Sequence, residues 1–369
     1  MKKKSMLILG VLLSILIIIT IIVMFVYNKQ PKNDVQISQE YKNLKETDSR
    51  YFSVSANGTV TLATEYQVGG QFHNELPSEI VIPRKINGTT ITSIADGAFE
   101  NCYSISYIQV PDTVTEIGSA FQNCSVQEIA ILGKSPSIRL IDVNNLNKVN
   151  IPDGTIDVTI HSSSLSHLDV PDSVTYLDLT CDNLVQLKLP SELETLFLHC
   201  ANLKDIDIPN SVYKLNLRGC SSIDKITIPS NVITLEDYDN NGGAFQDCSN
   251  LKEITLNEGL QSIPEKTFYK CTSLENLVLP NTISYIGSSA FSYTAITKID
   301  IPESVTTIGS YAFSYSNFTE ITLPNSVIEI DSYAFSNSNL AKITLPNSLS
   351  YVGSKLFDRC DKLESIDFR

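Results

Sequence analysis

Asp237, Asp239 and Asn241 carry side-chain oxygens at alternate positions and form the segment of this sequence best suited to binding a cation. With Gly242 they match the first half of a calcium-binding loop, in which hard oxygen ligands recur at every second position. The glutamate that closes such a loop is its twelfth residue, and Cys248 stands there instead. An ordinary Asx/Gly turn is therefore the favoured interpretation and a cation loop the alternative. No cofactor is expected.

The eight cysteines raise the question of disulfide bonds. Seven of them lie nine residues before a proline, or its equivalent, that recurs along the chain. Thr294, Ser316 and Ser338 occupy the same position in three consecutive repeats. A position that accepts Cys, Ser and Thr predicts a small, buried turn residue and free thiols. Neighbours such as Cys200 and Cys220 would lie near bridging distance, so a disulfide is the alternative.

No catalytic arrangement is recognisable in the sequence. The motifs G-x-S-x-G, H-E-x-x-H, the P-loop and G-x-G-x-x-G do not occur. His161 and His199 share a register, but they are predicted to lie two repeats, about 10 Å, apart, which is too far for one zinc ion. The sequence therefore predicts a protein that is not an enzyme. The enzymatic alternative is a polysaccharide-active parallel β-helix, which is disfavoured because the acidic residues have no arginine in register.

A short apolar unit recurs 14 times after residue 80 and usually ends in proline, as in Ile206-Asp207-Ile208-Pro209. This repeat determines where the cysteines and histidines described above lie. Eleven of the 15 prolines stand at this one position. An apolar residue three positions earlier completes the L-x-x-L-x-L strand signature of leucine-rich repeats. Alternation predicts a strand with one buried face, which is covered only when successive coils stack into a solenoid.

The spacing of the unit divides the array into two types of coil. After residue 257 it recurs every 22–23 residues and includes I-G-S-x-A-F, as at residues 286–291 and 308–313. Between Pro152 and Pro229 the spacing is 19–20 residues, and the return segment alternates, as in Val174-x-x-Leu177-x-Leu179. We predict a strand on both sides of the short middle coils, and a tight turn or short helix opposite the strand in the long coils.

The pattern V-T-x-I-G-x-x-A-F-x-x-C-x-x-L-x-x-I-x-L-P resembles the BspA-like (Treponema pallidum-type) leucine-rich-repeat family over about residues 80–369. This resemblance implies a right-handed solenoid of about 14 coils, mainly β with short helical or 3-10 turns. It also implies a bacterial or protist cell-surface protein that binds host or neighbouring-cell proteins. Residues 51–79 resemble the family's N-terminal β cap, with a hairpin at Asn57-Gly58. The short middle coils depart from the pattern and leave the local curvature open.

The N-terminus has the composition of a membrane anchor. Three lysines precede an apolar run at residues 6–27, which is long enough to cross a bilayer as a helix and lacks a small-residue cleavage pattern. We predict a cytoplasmic tail at 1–5, an uncleaved transmembrane signal-anchor helix at 6–27 and a polar stalk at 28–50, with the repeats outside the cell. A cleaved signal peptide is the alternative, and lysines that follow the apolar run leave the orientation open.

The charge of the chain excludes nucleic acid as a partner. Residues 1–50 hold eight Lys/Arg against four Asp/Glu, so residues 51–369 hold 19 against 37. Phosphate binding needs a basic surface, and the repeat region is strongly acidic.

The outward side chains of the repeated strands form columns, which we call the strand face. Exposed faces of this kind commonly bind proteins in repeat proteins, so we predict an extracellular protein ligand here. A non-binding envelope spacer or scaffold is the alternative. Leu363, Ile366 and Phe368 complete the last strand and predict end-to-end self-association. The candidate ligand-binding residues are Tyr107, His167, Asp169, Asp205, Asp207, Lys225, Asp300 and Glu320.

Overall fold

The computed structural model describes residue 41 and residues 43–63, 76–235 and 242–369. The predicted cytoplasmic tail, the transmembrane helix and the stalk up to residue 40 lie outside these ranges, as do Asp237, Asp239 and Asn241. Among the residues that are described, no helix has the length and apolarity needed to cross a membrane.

The return side of the coils, opposite the strand face, carries most of the β-structure. Its strands are β1 (Phe52–Val54), β2 (Thr59–Leu62), β6 (Ser93–Ile94), β8 (Glu116–Ile117), β10 (Ser137–Leu140), β12 (Asp157–His161), β13 (Tyr176–Thr180), β14 (Thr195–His199), β15 (Lys214–Asn216), β18 (Ser262–Ile263), β19 (Tyr285–Ile286), β20 (Thr307–Ile308), β22 (Glu329–Ile330) and β24 (Tyr351–Val352). They form a nine-stranded sheet from β1 to β15 and a five-stranded sheet from β18 to β24. Apart from the antiparallel β1–β2 hairpin at Asn57-Gly58, each strand pairs in parallel with the next coil.

The strand face is divided into three shorter parallel sheets. Its strands are β3 (Glu79–Val81), β7 (Tyr107–Val110), β9 (Glu128–Ile131), β11 (Lys148–Val149), β16 (Lys225–Thr227), β17 (Glu253–Thr255), β21 (Glu320–Thr322), β23 (Lys342–Leu345) and β25 (Ser365–Phe368). The orders of the three sheets are β11-β9-β7-β3, β16-β17 and β21-β23-β25. A separate antiparallel pair is formed by β4 (Lys85–Ile86) and β5 (Thr89–Thr90).

The prediction of strands on both sides of the middle coils is wrong for one side. The return segments form the strands β12, β13 and β14, each five residues long and in register. The units 168–170, 187–189 and 206–208 on the strand face form no strand. Their inward side chains, such as Leu187 and Ile206, are only half-buried. The coils are therefore joined by ladder hydrogen bonds on the return side and stand open on the other.

Of the tight turn or short helix predicted opposite the strand, the long coils show the tight turn, which passes through left-handed residues, and not the helical or 3-10 turns that the family resemblance implies. From residue 286 onward, each A-F pair lies between two residues of positive φ that are four positions apart, such as Ser289 (55°) and Tyr293 (61°). A right-handed helix does not continue through such residues. The backbone N–H of Phe291 instead donates to Ala312 O of the next coil at 2.8 Å, and Phe313 N–H donates to Ala334 O. Residues Ser49–Tyr51 form a short 3-10 helix.

A single apolar core runs through the stack from Phe52 to Leu356. In the long coils its centre is a column of stacked phenylalanines, whose ring centroids are 5.3–6.0 Å apart. The column comes from the F of the A-F motif, since equal spacing places the same residue above itself in each coil. Its members are Phe245, Phe268, Phe291, Phe313, Phe335 and Phe357.

Candidate functional site

The strand face presents seven of its eight predicted residues to solvent. Each occupies an outward position of the repeated unit, so the alternation that buries its neighbours exposes its own side chain. They are His167, Asp169, Asp205, Asp207, Lys225, Asp300 and Glu320.

The predicted acidic cluster is spread over the open middle coils. Asp169 Oδ1 lies 3.3 Å from His167 Nε2 on its own coil, and both side chains are largely exposed. Asp205 and Asp207 lie on one segment two coils further on, with Lys188 in the column between Asp169 and Asp207. Solvent screening makes the His167–Asp169 pair weak. The three aspartates therefore form an extended acidic surface, and the structure shows no shared site for them.

Other candidates form ion pairs across neighbouring coils. Lys225 Nζ lies 3.0 Å from both carboxylate oxygens of Glu253. Lys342, the register partner of Glu320 on the neighbouring strand, lies 2.8 Å from Asp367 on the next coil, and this bond raises the pKa of the lysine. These pairs hold charge in fixed rows along the strand face.

Asp300 borders an open groove of about 500 Å³ on the strand face. Lys298 and Glu303 line the groove with it, and so does Val278. This apolar side chain occupies an outward position of the repeat and is 85% exposed. Strand pairing here is reduced to one bridge, between Asn276 and Lys298. The groove therefore offers apolar surface flanked by charges of both signs, an arrangement suited to a protein ligand.

Tyr107 differs from the other candidates because it is completely buried. The ring of Tyr41, a residue that was expected to lie in a free stalk, stacks on the Tyr107 ring with centroids 3.9 Å apart and planes 16° apart. Burial is the main cause of a raised pKa at the Tyr107 hydroxyl, to which Glu128 also contributes. Tyr107 is thus not an exposed ligand-binding residue in this structure.

A tyrosine-rich turn edge is a surface that the sequence analysis missed. Tyr293 stacks on Tyr315 at 4.1 Å, and Tyr311 stacks on Tyr333 at 4.8 Å, with three of the four rings about 40% exposed. All four residues have positive φ, which is unusual for a large aromatic residue. The signal in the sequence was tyrosine at the variable positions that flank A-F. Exposed tyrosines are common in recognition surfaces, so this edge is a second candidate surface.

The cysteines are all free thiols, and seven of the eight are buried. Their S–H groups contact backbone carbonyls of the preceding coil, as Cys248 Sγ does with Leu217 O at 3.1 Å. Burial raises the pKa of Cys181 to about 12 and raises the pKa values of Cys200, Cys220 and Cys271 as well. The predicted shared position is confirmed at Ser338, whose Oγ lies 3.3 Å from Cys360 Sγ.

Native thiols are expected to resist modification. The thiolate is the reactive form; burial limits access to all seven buried thiols, and raised pKa values suppress the thiolate at all of them except Cys124, whose pKa is lowered by its bond with Cys102. In the folded chain we expect an aromatic disulfide reagent at pH 8 to label Cys360 first, since it is half-buried, and the other seven about 10³-fold more slowly, through opening of the fold. In guanidinium all eight should react at once. Fast native labelling of two or more thiols in a Cys360→Ser variant would contradict the buried arrangement.

No metal centre is present within the described residues, where no three His, Cys, Asp or Glu side chains are placed to hold an ion. His161 and His199 lie two strands apart in the same register, as expected, and His161 Nε2 is 3.8 Å from Asp178 Oδ1. The proposed cation loop lies outside the ranges described.

Stacked coils with repeated short parallel strands, almost no helix and one continuous core define a mainly-β repeat solenoid. The sequence profile of the BspA type leucine rich repeat region matches six copies, at residues 70–181, 140–217, 161–239, 194–317 and 286–369. The chain belongs to this BspA-type leucine-rich-repeat family.

The chain is similar to several solved structures, of which the first below shares its fold. A leucine rich cell surface protein from Faecalibacterium prausnitzii A2-165 aligns with a TM-score of 0.52 and 22% identity, over 88% of this chain and 94% of its own. A leucine-rich repeat protein from Bacteroides ovatus gives 0.48 and 24%, over 87% and 94%. The T. pallidum leucine rich repeat protein gives 0.30 and 18%, over 68% and 89%. No curated protein matches the chain.

Proposed function

We propose that this protein is a non-enzymatic cell-surface molecule, held by the apolar segment 6–27, that binds a protein ligand through its strand face. The observation that carries the proposal is the groove beside Asp300, where Val278 is 85% exposed between charged side chains. Protein interfaces typically have an apolar centre surrounded by polar and charged groups. The groove has this arrangement, because the apolar Val278 side chain lies between charged side chains. The acidic residues Asp169, Asp205 and Asp207 extend this face and favour a ligand with basic groups.

The family supports the same location and role. The matched structure from Faecalibacterium prausnitzii is described as a cell surface protein, and the N-terminal lysines before residue 6 favour an anchor with the repeats outside the cell. The second candidate is a spacer with no dedicated ligand, in which the charged rows such as Lys225–Glu253 only keep the surface soluble. Exposed Ile366 and Phe368 on β25 favour self-association as an additional property, which sedimentation at high concentration would test.

Reversing charge on the strand face is expected to reduce ligand capture. Residues 41–369 immobilised on beads should enrich a defined protein from an extract of host-cell surface and matrix proteins. Asp169→Lys combined with Asp207→Lys, or Val278→Asp alone, should lower that enrichment by about tenfold, since central interface residues each contribute 1.4 kcal/mol or more.

The matched control is Glu116→Lys combined with Glu329→Lys, which makes the same change in net charge on exposed positions of the return side. It should leave capture unchanged. If wild type and both sets of variants enrich the same proteins equally, the strand face is not the binding surface. A loss that is confined to a Tyr293→Ser and Tyr315→Ser variant would move the site to the tyrosine-rich turn edge.

A further inference from the structure

The first coils of the strand face are covered by the chain's own N-terminal segment, residues 41 and 43–48. The rings of Tyr41 and Tyr107 are stacked, and Leu44 packs against the same small apolar cluster, formed by Val81, Tyr107 and Ala130. These three are 5%, 0% and 2% exposed, although all occupy outward positions of the repeat. The surface is therefore buried by the segment and not by the solenoid core.

Two of the three middle outward positions where the segment lies are apolar, with Gln109 between them accepting a bond from the Tyr107 hydroxyl, and those beyond it are polar. Val81 and Ala130 occupy the middle of the repeated unit, a position held by Asn150, Asp169 and Lys188 in the following coils. Asn150 lies at the end of the covered region. Its Oδ1 accepts a hydrogen bond from the Ile131 N–H and its Nδ2 donates to the Ile131 carbonyl, both at 2.7 Å. The apolar outward side chains Val81, Tyr107 and Ala130 thus lie where Tyr41 and Leu44 pack.

Backbone pairing adds to this packing at the free edge of β3. Thr47 N–H donates to Val81 O at 2.9 Å, and Val81 N–H donates to Thr47 Oγ1 at 2.8 Å. Arg84 N–H donates to Glu46 Oε1 at 3.3 Å. Bonds to an edge strand together with a pocket for one side chain are the features by which folded domains capture extended peptides.

We infer that the patch formed by Val81, Tyr107 and Ala130 is a binding site for an extended peptide that carries an aromatic residue. Its occupant in the structure is the N-terminal segment, which acts as an intramolecular ligand. The inference deepens the proposed function and rests on it, because it adds a peptide site to the strand face. A tethered segment competes at an effective concentration in the millimolar range. The site therefore opens only to a partner that displaces it.

A labelled peptide with the sequence of residues 41–48 (YKNLKETD) tests this directly. Titrated with the full-length chain in detergent, it should show no saturable change in fluorescence anisotropy, because the site is occupied. A Tyr41→Ala, Leu44→Ala variant should bind the peptide at least tenfold more tightly than wild type. Adding Tyr107→Ala to that variant should abolish binding. Tyr103→Ala, at a 66% exposed tyrosine away from the patch, is the matched control and should behave as wild type.

Hydrogen exchange provides a second measurement that needs no added peptide. The Val81 amide should be protected in wild type and exchange at least tenfold faster in the Tyr41→Ala, Leu44→Ala variant, with core amides unchanged. Absence of binding to that variant at about 1 mM peptide would overturn the inference, and so would equal binding to wild type. The capture experiment of the proposed function tests Asp169, Asp207 and Val278, which lie in other coils. Loss of capture in those variants would not change peptide binding at the patch, so the two proposals can fail independently.

Discussion

Replacing Phe291 with alanine is expected to lower the free energy of unfolding by about 3–5 kcal/mol. The side chain is fully buried and is stacked at 5.5 Å on Phe268 and at 5.3 Å on Phe313. Its removal leaves a cavity between two rings whose positions are fixed by backbone hydrogen bonds to neighbouring coils, so the site collapses little. Guanidinium denaturation followed by circular dichroism would measure the change.

Two further variants show whether the loss comes from the cavity. Phe291→Leu keeps most of the volume and should cost about half as much. Phe357→Ala, at a half-buried position at the end of the column, should cost less than Phe291→Ala because solvent fills the space. Equal losses at Phe291 and Phe357 would show that the stacked column does not stabilise the long coils.

Deleting the whole coil that contains Phe291 is expected to be milder than truncating that one side chain. Removal of residues 288–309 joins Gly287 to Ser310 and restores the sequence I-G-S-Y-A-F. Phe268 then meets Phe313, and its N–H meets Ala312 O, in the contacts it formerly made with Phe291 and Ala290. The contacts across a junction repeat at 22 residues, as in the Ser292–Ser314 bond, so equivalent surfaces meet.

The expected result is a cooperative unfolding transition and a particle about 5 Å shorter by small-angle scattering. Deleting only residues 288–298 joins Gly287 to Ile299 and places a strand where a turn is required. That variant should lose the ordered structure of the coils that follow, which limited proteolysis would detect. If the half-coil deletion is as stable as the full one, register between coils does not determine the fold.

The family and the parallel stacking were predictable because the repeat places the same residue at the same height in every coil. The shared position of Cys248 and Ser338 followed from the same spacing. The turn conformation did not, because propensity treats A-F as helix-forming and gives no account of hydrogen bonds to a neighbouring coil. Tyr293 and Tyr311 have positive φ where their N–H groups bond to the next coil. The amino-acid composition of these turns does not predict that conformation.

The candidate site was predicted in position but not in state. Alternation places Asp169, Asp300 and Tyr107 at outward positions of one face, where the structure exposes the first two and covers Tyr107. Tyr107 is buried by Tyr41, which is 66 residues earlier. The local sequence pattern around either residue does not predict that contact. The groove at Val278 depends on how far two coils separate, a distance that the sequence of one coil does not determine.

The open strand face of the middle coils has a mechanical consequence. Between residues 157 and 199 the ladder lies on the return side only, so a force applied across the solenoid meets unequal resistance in two directions. Bending that opens the strand side breaks no ladder hydrogen bond there, whereas bending that opens the return side must pull apart the ladders between β12, β13 and β14. The middle coils should therefore separate more easily on the strand side than on the return side, which would let the strand face change its curvature.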